Sequence, residues 1–575
     1  MRWPIDDHDL EMTMNTATTH LPAEKTSERR EPSPPQPLII YNDDNCSLRY
    51  VDPPHSEQSL DTLLRHMEGS QVGGFAWCMG SDIAEAWPSK VIENYYDQLA
   101  AGHFIGLIDD ESGFGGTLAG KGEYFDNLPR GQEPRNVMVS FHRQGVDYLP
   151  LFIERVRRRG IQFYGSFRMN DCHHKSDPRG MLSSKFWQEH QDWRLWEVLD
   201  GRTYYNAAMD FSYPPVRQRR LDAIREALDW YDMDGIELDF CRNPYVFQPS
   251  EAWEKRQILT DFIRQVRQDL NTAQTKWGHK LVLLLRVPFD EKKLHEAGMD
   301  VNAWLEEGLI DTLIMSRLLN DYNQSIEPWA SRCREHGVAF YPSIEIGPVH
   351  NTVHNHITLE TVEEATARQR AAAQNYLGQG AAGVYMFNYT CVLYQQRRTP
   401  EEMIKLTRIL FELGRQQTLS GKPKQYAYWK DLPMQVESRR PARFHQTIHF
   451  SLFDPDLAKP DTCVQISFHQ TTEPNPHVDA RHCKDSDAIL PPGWVTYWLN
   501  GQEVPEVWIH RHEQPAGPIA SGFNLGRHET VTITPPPSAL RQGENTLGFF
   551  VPHFPQEHDP YLQIYQMLVD VNPSP

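Results

Sequence analysis

The stretch Asp234-Gly235-Ile236-Glu237-Leu238-Asp239-Phe240-Cys241-Arg242 sets two acidic residues inside an aliphatic and aromatic run. On a strand, side chains alternate, so Gly235, Glu237, Asp239 and Cys241 face one way and Ile236, Leu238 and Phe240 the other. Two carboxylates two residues apart on one face repel, which raises one pKa. Glu237 lies deeper along the strand and Asp239 nearer its C-terminal end. Asp239 therefore reads as the reacting group and Glu237 as its orienter or a substrate ligand. Simple pairing of Glu237 with Arg286 or Arg168 is the structural alternative.

Seven further short apolar runs surround this one: Leu38–Tyr41, Phe75–Met79, Ile161–Phe167, Leu281–Val287, Thr312–Met315, Ala339–Ile346 and Gly383–Phe387. Each is continuous rather than alternating, as expected of strands buried on both faces. Helical periods lie between most of them. One example is Leu221, Ile224, Leu228 and Tyr231, and another is Ile258, Phe262, Ile263, Val266 and Leu270. Strand–helix alternation repeated eight times predicts an α/β fold of the (β/α)8 TIM-barrel type. A doubly wound open sheet is the alternative. Two stretches, 80–136 and 170–205, exceed ordinary loop length and follow strands two and three, on the side where barrels carry their working loops.

Beyond residue 425 the helical periods vanish. Short β-type runs appear, from Gln446–Phe453 to Tyr561–Val571, with turns such as Asn500-Gly501 between them. The expected organisation is a disordered tail over 1–36, a barrel over 37–414 and an all-β, jelly-roll-like sandwich over 425–575. Trp494, Tyr497, Trp498 and Trp508 form either a sugar-binding stripe or ordinary core, and the sandwich is either a binding module or a brace.

The chain has 575 residues, with 57 Lys and Arg against 77 Asp and Glu, for a formal net charge of −20. That balance argues against a protein built to grip a phosphate backbone. No apolar run reaches about 18 residues, so no membrane-spanning helix is expected. The first 37 residues carry charges throughout and lack the apolar core of a signal peptide. The eight cysteines (Cys46, Cys78, Cys172, Cys241, Cys333, Cys391, Cys463, Cys483) include no C-x-x-C pair and read as reduced core residues. The expected compartment is the cytoplasm, with secretion open if a preceding segment exists. The oligomeric state is not legible.

Chemistry in a barrel sits at the C-terminal strand ends, and those ends are polar here. They supply Asn42 and Asp43, Trp77, Arg168, Asn170, Asp171, His173, Glu237, Arg242, Arg286, Arg317 and Asn388 as candidate substrate ligands. Amides, carboxylates and arginines suit hydroxyl groups, and an aromatic such as Trp77 suits a sugar face, so the expected partner is a carbohydrate. Buried charges otherwise need partners of their own, and an internal salt-bridge network is the structural alternative. Glu345, across the barrel from strand four, is the natural second catalytic carboxylate beside Asp239. Asp321, just after strand six, competes for that place. Glycosidic cleavage uses such a pair. The cluster Asp171-Cys172-His173-His174 has no known ligand spacing, and the Gly-rich stretch 113–122 lacks the phosphate-loop form. No G-x-S-x-G elbow occurs. No cofactor or metal is expected.

The phrase from Trp230 to Phe240, with Asp210-Phe211-Ser212-Tyr213-Pro214 and Val216-Arg217 before it, resembles bacterial barrels of the "family 10-like glycosylhydrolase" group. Asn42-Asp43-Asp44 and Phe167-Arg168-Met169-Asn170-Asp171 look familial too. The resemblance covers roughly residues 37–414 and implies a carbohydrate-active barrel, often with a C-terminal sandwich. Strand four also looks like the D-G-x-D-x-D-x-E of chitinase-type hydrolases, but Cys241 stands where that motif ends in its acid. Asp239 and Asp321 loosely resemble the carboxylates of retaining α-galactosidase-type enzymes. Glu345 fits the strand-seven place of the large cellulase-like clan. The resulting expectation is a glycosidase. A non-hydrolytic carbohydrate-binding barrel and a metal-assisted lyase or isomerase acting on sugars are the alternatives.

Overall fold

The computed structural model describes residues 36–45, 47–49, 51–100, 136–172, 175, 182–197, 206–241, 243–316, 325–344, 361–389, 398–428, 432–436, 446–471, 493–519, 524–551 and 562–573. Eight strands close into one barrel in sequence order. They are β1 Ile39–Asp43, β2 Val72–Gly80, β3 Gln162–Arg168, β4 Gly235–Asp239, β5 Val282–Pro288, β6 Thr312–Ser316, β7 Ala339–Ile344 and β8 Val384–Met386. Every neighbouring pair is parallel, and β8 returns to β1 with Ile40 opposite Tyr385. The closed barrel, not the open sheet, is the observed form.

Helices cover the outside because their apolar residues fall on one stripe. In the helix Arg256–Trp277, Leu259, Phe262, Ile263, Val266 and Leu270 are buried. That helix ends at Gly278, whose φ of +77° lets its N–H close on the Gln274 carbonyl at 2.8 Å. The barrel has two separate apolar regions. A large one lies between strands and helices. A small one fills the interior, from Ile40, Ala76, Tyr164, Leu284, Ile314, Tyr341, Tyr385 and Phe387. Fit there is tight: a Cβ on Gly74 would stand 2.8 Å from the Tyr164 ring.

The C-terminal strands are β9 Lys424–Tyr428, β10 Met434–Val436, β11 Thr447–Leu452, β12 Cys463–Thr471, β13 Thr496–Leu499, β14 Gln502–Glu503, β15 Ile509–Gln514, β16 Gly517–Pro518, β17 Asn524–Leu525, β18 His528–Ile533, β19 Gly543–Phe550 and β20 Leu562–Asn572. One antiparallel sheet runs β10-β20-β12-β18-β15, with β9 also on β20. Another runs β11-β19-β13-β14. Their inner faces share one apolar core, which makes a sandwich. Tyr497 is fully buried in that core, Trp494 and Trp508 pack against it, and Trp498 is half-buried. Tyr497 thus belongs to the core and not to a binding stripe.

The helix Val362–Gly378 lies between barrel and sandwich. Its Ala371 belongs to the sandwich core, while Ala372 and Ala373 belong to the barrel's. Asn375 donates to the Ser451 carbonyl and accepts from the Phe453 N–H, both at 2.8 Å. Leu568 of β20 reaches the barrel's apolar region. The sandwich therefore packs on the helix that feeds β8. No helix among the described residues is long and apolar enough to cross a membrane.

Candidate active site

Strand register stacks the inward side chains of β3, β4 and β5 in layers, with Asp239 between Arg168 and Arg286. Asp239 is buried and accepts from Arg286 Nη1 on both oxygens at 3.0 Å. The Cys241 N–H adds a third hydrogen bond at 2.9 Å. Arg286 is itself fully buried, donates to Ser316 Oγ at 3.2 Å, and lies 4.0 Å from the Phe387 ring centre. Arg286 and the Cys241 N–H thus compensate the buried Asp239 carboxylate.

Glu237 sits one layer deeper in different surroundings. Tyr385 donates to its two oxygens at 2.8 and 3.1 Å. Burial, and then the charge of Asp239, push the Glu237 carboxyl up to about 7, against the opposing pull of Arg286, Tyr385 and Ser166. The alternative pairing of Glu237 with Arg286 or Arg168 is not what forms: its hydrogen-bond donor is the tyrosine, and Arg286 pairs with Asp239.

On the other side of the mouth Arg168 pairs with Asp171 at 2.8 Å and with Asp44. Asn388, at the end of β8 with φ +50°, donates to Asp44 and accepts from the Asp44 N–H at 2.9 Å. Arg168 thus joins Asp44 and Asp171 on one side of the mouth, while Arg286 holds Asp239 on the other.

Other candidates lie elsewhere. Trp77 is fully buried on the outer side of β2, edge-on to Phe152, with its indole donating to the Tyr148 hydroxyl at 3.1 Å. It is not available to stack on a sugar. Alternation explains this, since Ala76 is the inward residue. Asp43 likewise faces out, and it accepts from the Ser47 N–H and hydroxyl to cap the turn Ser47–Arg49. Its neighbour Asp44 takes the place at the mouth. Asn170 is consumed as a loop clamp, donating to Met209 O at 2.8 Å and Tyr245 O at 2.9 Å and accepting from the Met209 N–H at 2.9 Å. Asn42 is buried and donates to the Ala76 carbonyl at 3.4 Å. His173, Arg242, Arg317, Asp321 and Glu345 lie outside the described residues.

Three further groups carried no sequence signal: Asp82 and Glu85 in the loop after β2, and Glu226 on the helix Pro214–Trp230. Glu85 is buried against Arg49 at 2.7 Å, and its carboxyl is pushed up by burial and by Asp171. Asp82 is buried among Lys175 at 3.3 Å, Arg220 at 3.1 Å and Arg219 at 3.7 Å, with Ser184 donating at 2.8 Å. Burial alone would raise its carboxyl, but the cations outweigh burial and hold it well below the usual range. Glu226 fixes the loop after β2 by accepting from Trp87 Nε1 at 2.9 Å and the Lys90 N–H at 2.8 Å. Among the described residues no group of three or more His, Cys, Asp or Glu side chains is arranged to hold a metal ion.

No protein-family model and no curated protein sequence matches the chain, so the resemblance to the "family 10-like" group rests on its motif residues. Among solved structures the chain is similar to alpha-L-fucosidase isoenzyme 2 from Paenibacillus thiaminolyticus, at 11% identity and a TM-score of 0.36 over 67% of this chain. It spans half the length of that fucosidase. It is similar to a glycoside hydrolase family 18 N-acetylglucosaminidase from Paenibacillus barengoltzii at 10% identity and a TM-score of 0.33, over 65% of this chain and 100% of that one. An Anoxybacillus alpha-amylase gives 12% identity and a TM-score of 0.35, over 90% and 98% of the two chains.

Proposed function

We propose that the chain is a glycoside hydrolase that cleaves an oligo- or polysaccharide at the C-terminal mouth of its barrel. The observation that carries this reading is the pair on β4. Asp239 is charge-compensated by Arg286, and Glu237 beneath it is driven toward neutrality. Neighbouring carboxyls whose surroundings push their protonation apart are the usual basis of acid and base roles. Asp239, nearer the mouth, presents the negative charge that an oxocarbenium-like centre requires. Glu237 is the proton store that spares Asp239 a second charge beside it. The proton donor to the leaving oxygen is assigned to Glu345 or Asp321. Arg168, Asp171 and Asn388 orient sugar hydroxyls.

A second reading is favoured by one observation. At Cys241, where chitinase-type barrels carry their acid, the thiol points to the Ser316 carbonyl at 3.5 Å. A barrel that binds glycans without cutting them would look the same there.

The test is a glycan panel with product analysis on the wild type and on Asp239→Asn, Glu345→Gln and Asp321→Asn. Loss of an acid–base group costs about 10²–10⁴-fold in rate. Asp239→Asn should fall in that range, together with one of the other two variants. Undiminished hydrolysis by Asp239→Asn removes the assignment. Saturable binding by the wild type without product establishes the second reading.

A further inference from the structure

At the opposite end of the barrel, under the N-terminal strand ends, is an open hollow of about 940 Å³. That volume lies within the roughly 300–1,000 Å³ of small-molecule sites. The lower end of a barrel ordinarily serves stability and is filled by side chains. Here the surrounding positions are small: Ala339 and Ala382, with Gly160, Gly337 and Gly380 at the edge. The inner wall is apolar and aromatic, formed by Ile40, Val282, Tyr164 and Tyr341. Both phenols are engaged, Tyr341 with the Pro37 carbonyl at 2.6 Å and Tyr164 with Gln162 Oε1 at 2.5 Å. The two rings are 2% and 1% exposed and close the floor of the hollow, while Val282, Ala339 and Ala382 are half-buried above it.

The rim is cationic. The two carboxylates in the wall are already saturated. Asp234 accepts from the Phe163 N–H at 2.8 Å and from Arg157 Nε at 3.0 Å. Asp311 accepts from the Leu283 N–H at 2.9 Å and pairs with Arg267 at 2.6 Å and Lys280 at 2.7 Å. Arg334 is different. It is exposed and makes no ion pair among the described residues; its guanidinium donates to Ser331 Oγ at 2.9 Å and lies against Gly380. The Lys280 side chain is 57% exposed, and such a pair is cheaply exchanged for another anion.

We propose that this hollow is a second ligand site, separate from the mouth, for a small amphipathic anion. Its apolar body lies against Val282, Ala339 and Ala382 above the closed floor, and its single acid group meets Arg334 at the rim. Apolar burial supplies the affinity and the unpaired guanidinium supplies the selection for a monoanion.

The probe is 8-anilinonaphthalene-1-sulfonate, an aromatic body with one sulfonate, titrated into the full chain by fluorescence. One saturable equivalent is expected. Arg334→Glu, at an exposed position, should weaken it about tenfold or more. Ala339→Phe fills the hollow and should abolish it while circular dichroism stays native. Arg332→Glu, on the same helix but partnered by Glu291, should change little. No binding by the wild type, equal affinity in Arg334→Glu, or equal affinity in a folded Ala339→Phe overturns the proposal.

Discussion

The two ends of the barrel use the same residue types for different purposes. At the lower end, Asp234 and Asp311 stand just before β4 and β6, and each accepts an N–H from the neighbouring strand as well as an arginine. These are ties that start strands, and they are part-exposed. At the upper end, Asp239 and Arg286 are wholly buried, and Glu237 is buried beside them with the Tyr385 hydroxyl as its donor. Burial separates the two cases. A part-exposed ion pair contributes little, whereas a buried one is a standing constraint on which group holds a proton.

The sharpest way to break this contrast is to remove one cation at each end. Arg286→Met leaves Asp239 buried and uncompensated, which should cost about 3–5 kcal/mol in denaturant unfolding. Arg157→Met, which loses pairs to Asp232 and Asp234 that are 37% and 14% exposed, should cost about 1 kcal/mol. Equal losses would erase the distinction between the ends.

A second test uses pH. The folded chain holds a proton on Glu237 up to about 7, whereas the unfolded chain releases it near 4.5. Between those values the native state binds more protons, so stability falls as pH rises and levels off above the folded value. The slope contributed by this one group approaches 1.4 kcal/mol per pH unit, about the linkage limit for one proton. Glu237→Gln should flatten it, and an unchanged profile would place the proton elsewhere.

A smaller effect sharpens the same point. Tyr385→Phe removes a donor that favours the charged form of Glu237. It should cost about 1 kcal/mol and move the pH window upward. A downward move would mean that the tyrosine stabilises the neutral acid.

The barrel was legible because eight strands buried on both faces leave continuous apolar runs, and the observed strands fall on all of them. Strand four was legible to the residue. The mouth was legible only in part, because a strand end does not announce which of two adjacent residues faces inward. Trp77 and Asp43 are each one position out of phase with Ala76 and Asp44. Asn170 looked like a ligand, but its amide is spent on backbone groups 39 and 75 residues away. Glu85 and Asp82 lie in loops whose contacts are made by distant residues such as Arg49 and Arg220, and no local periodicity records those. In the sandwich, strand spacing could not separate Tyr497, which is core, from Trp498, which is half-buried.

The central claim is that the two carboxyls of β4 sit in opposite surroundings, with Glu237 pushed toward its neutral form beneath an Asp239 paired to Arg286. Infrared spectroscopy of the full chain with isotope-labelled glutamate, titrated across neutral pH, reads that directly. The account predicts a buried protonated glutamate carboxyl that loses its proton near pH 7 and is missing from Glu237→Gln. A spectrum in which every glutamate is already ionised well below neutrality would contradict it.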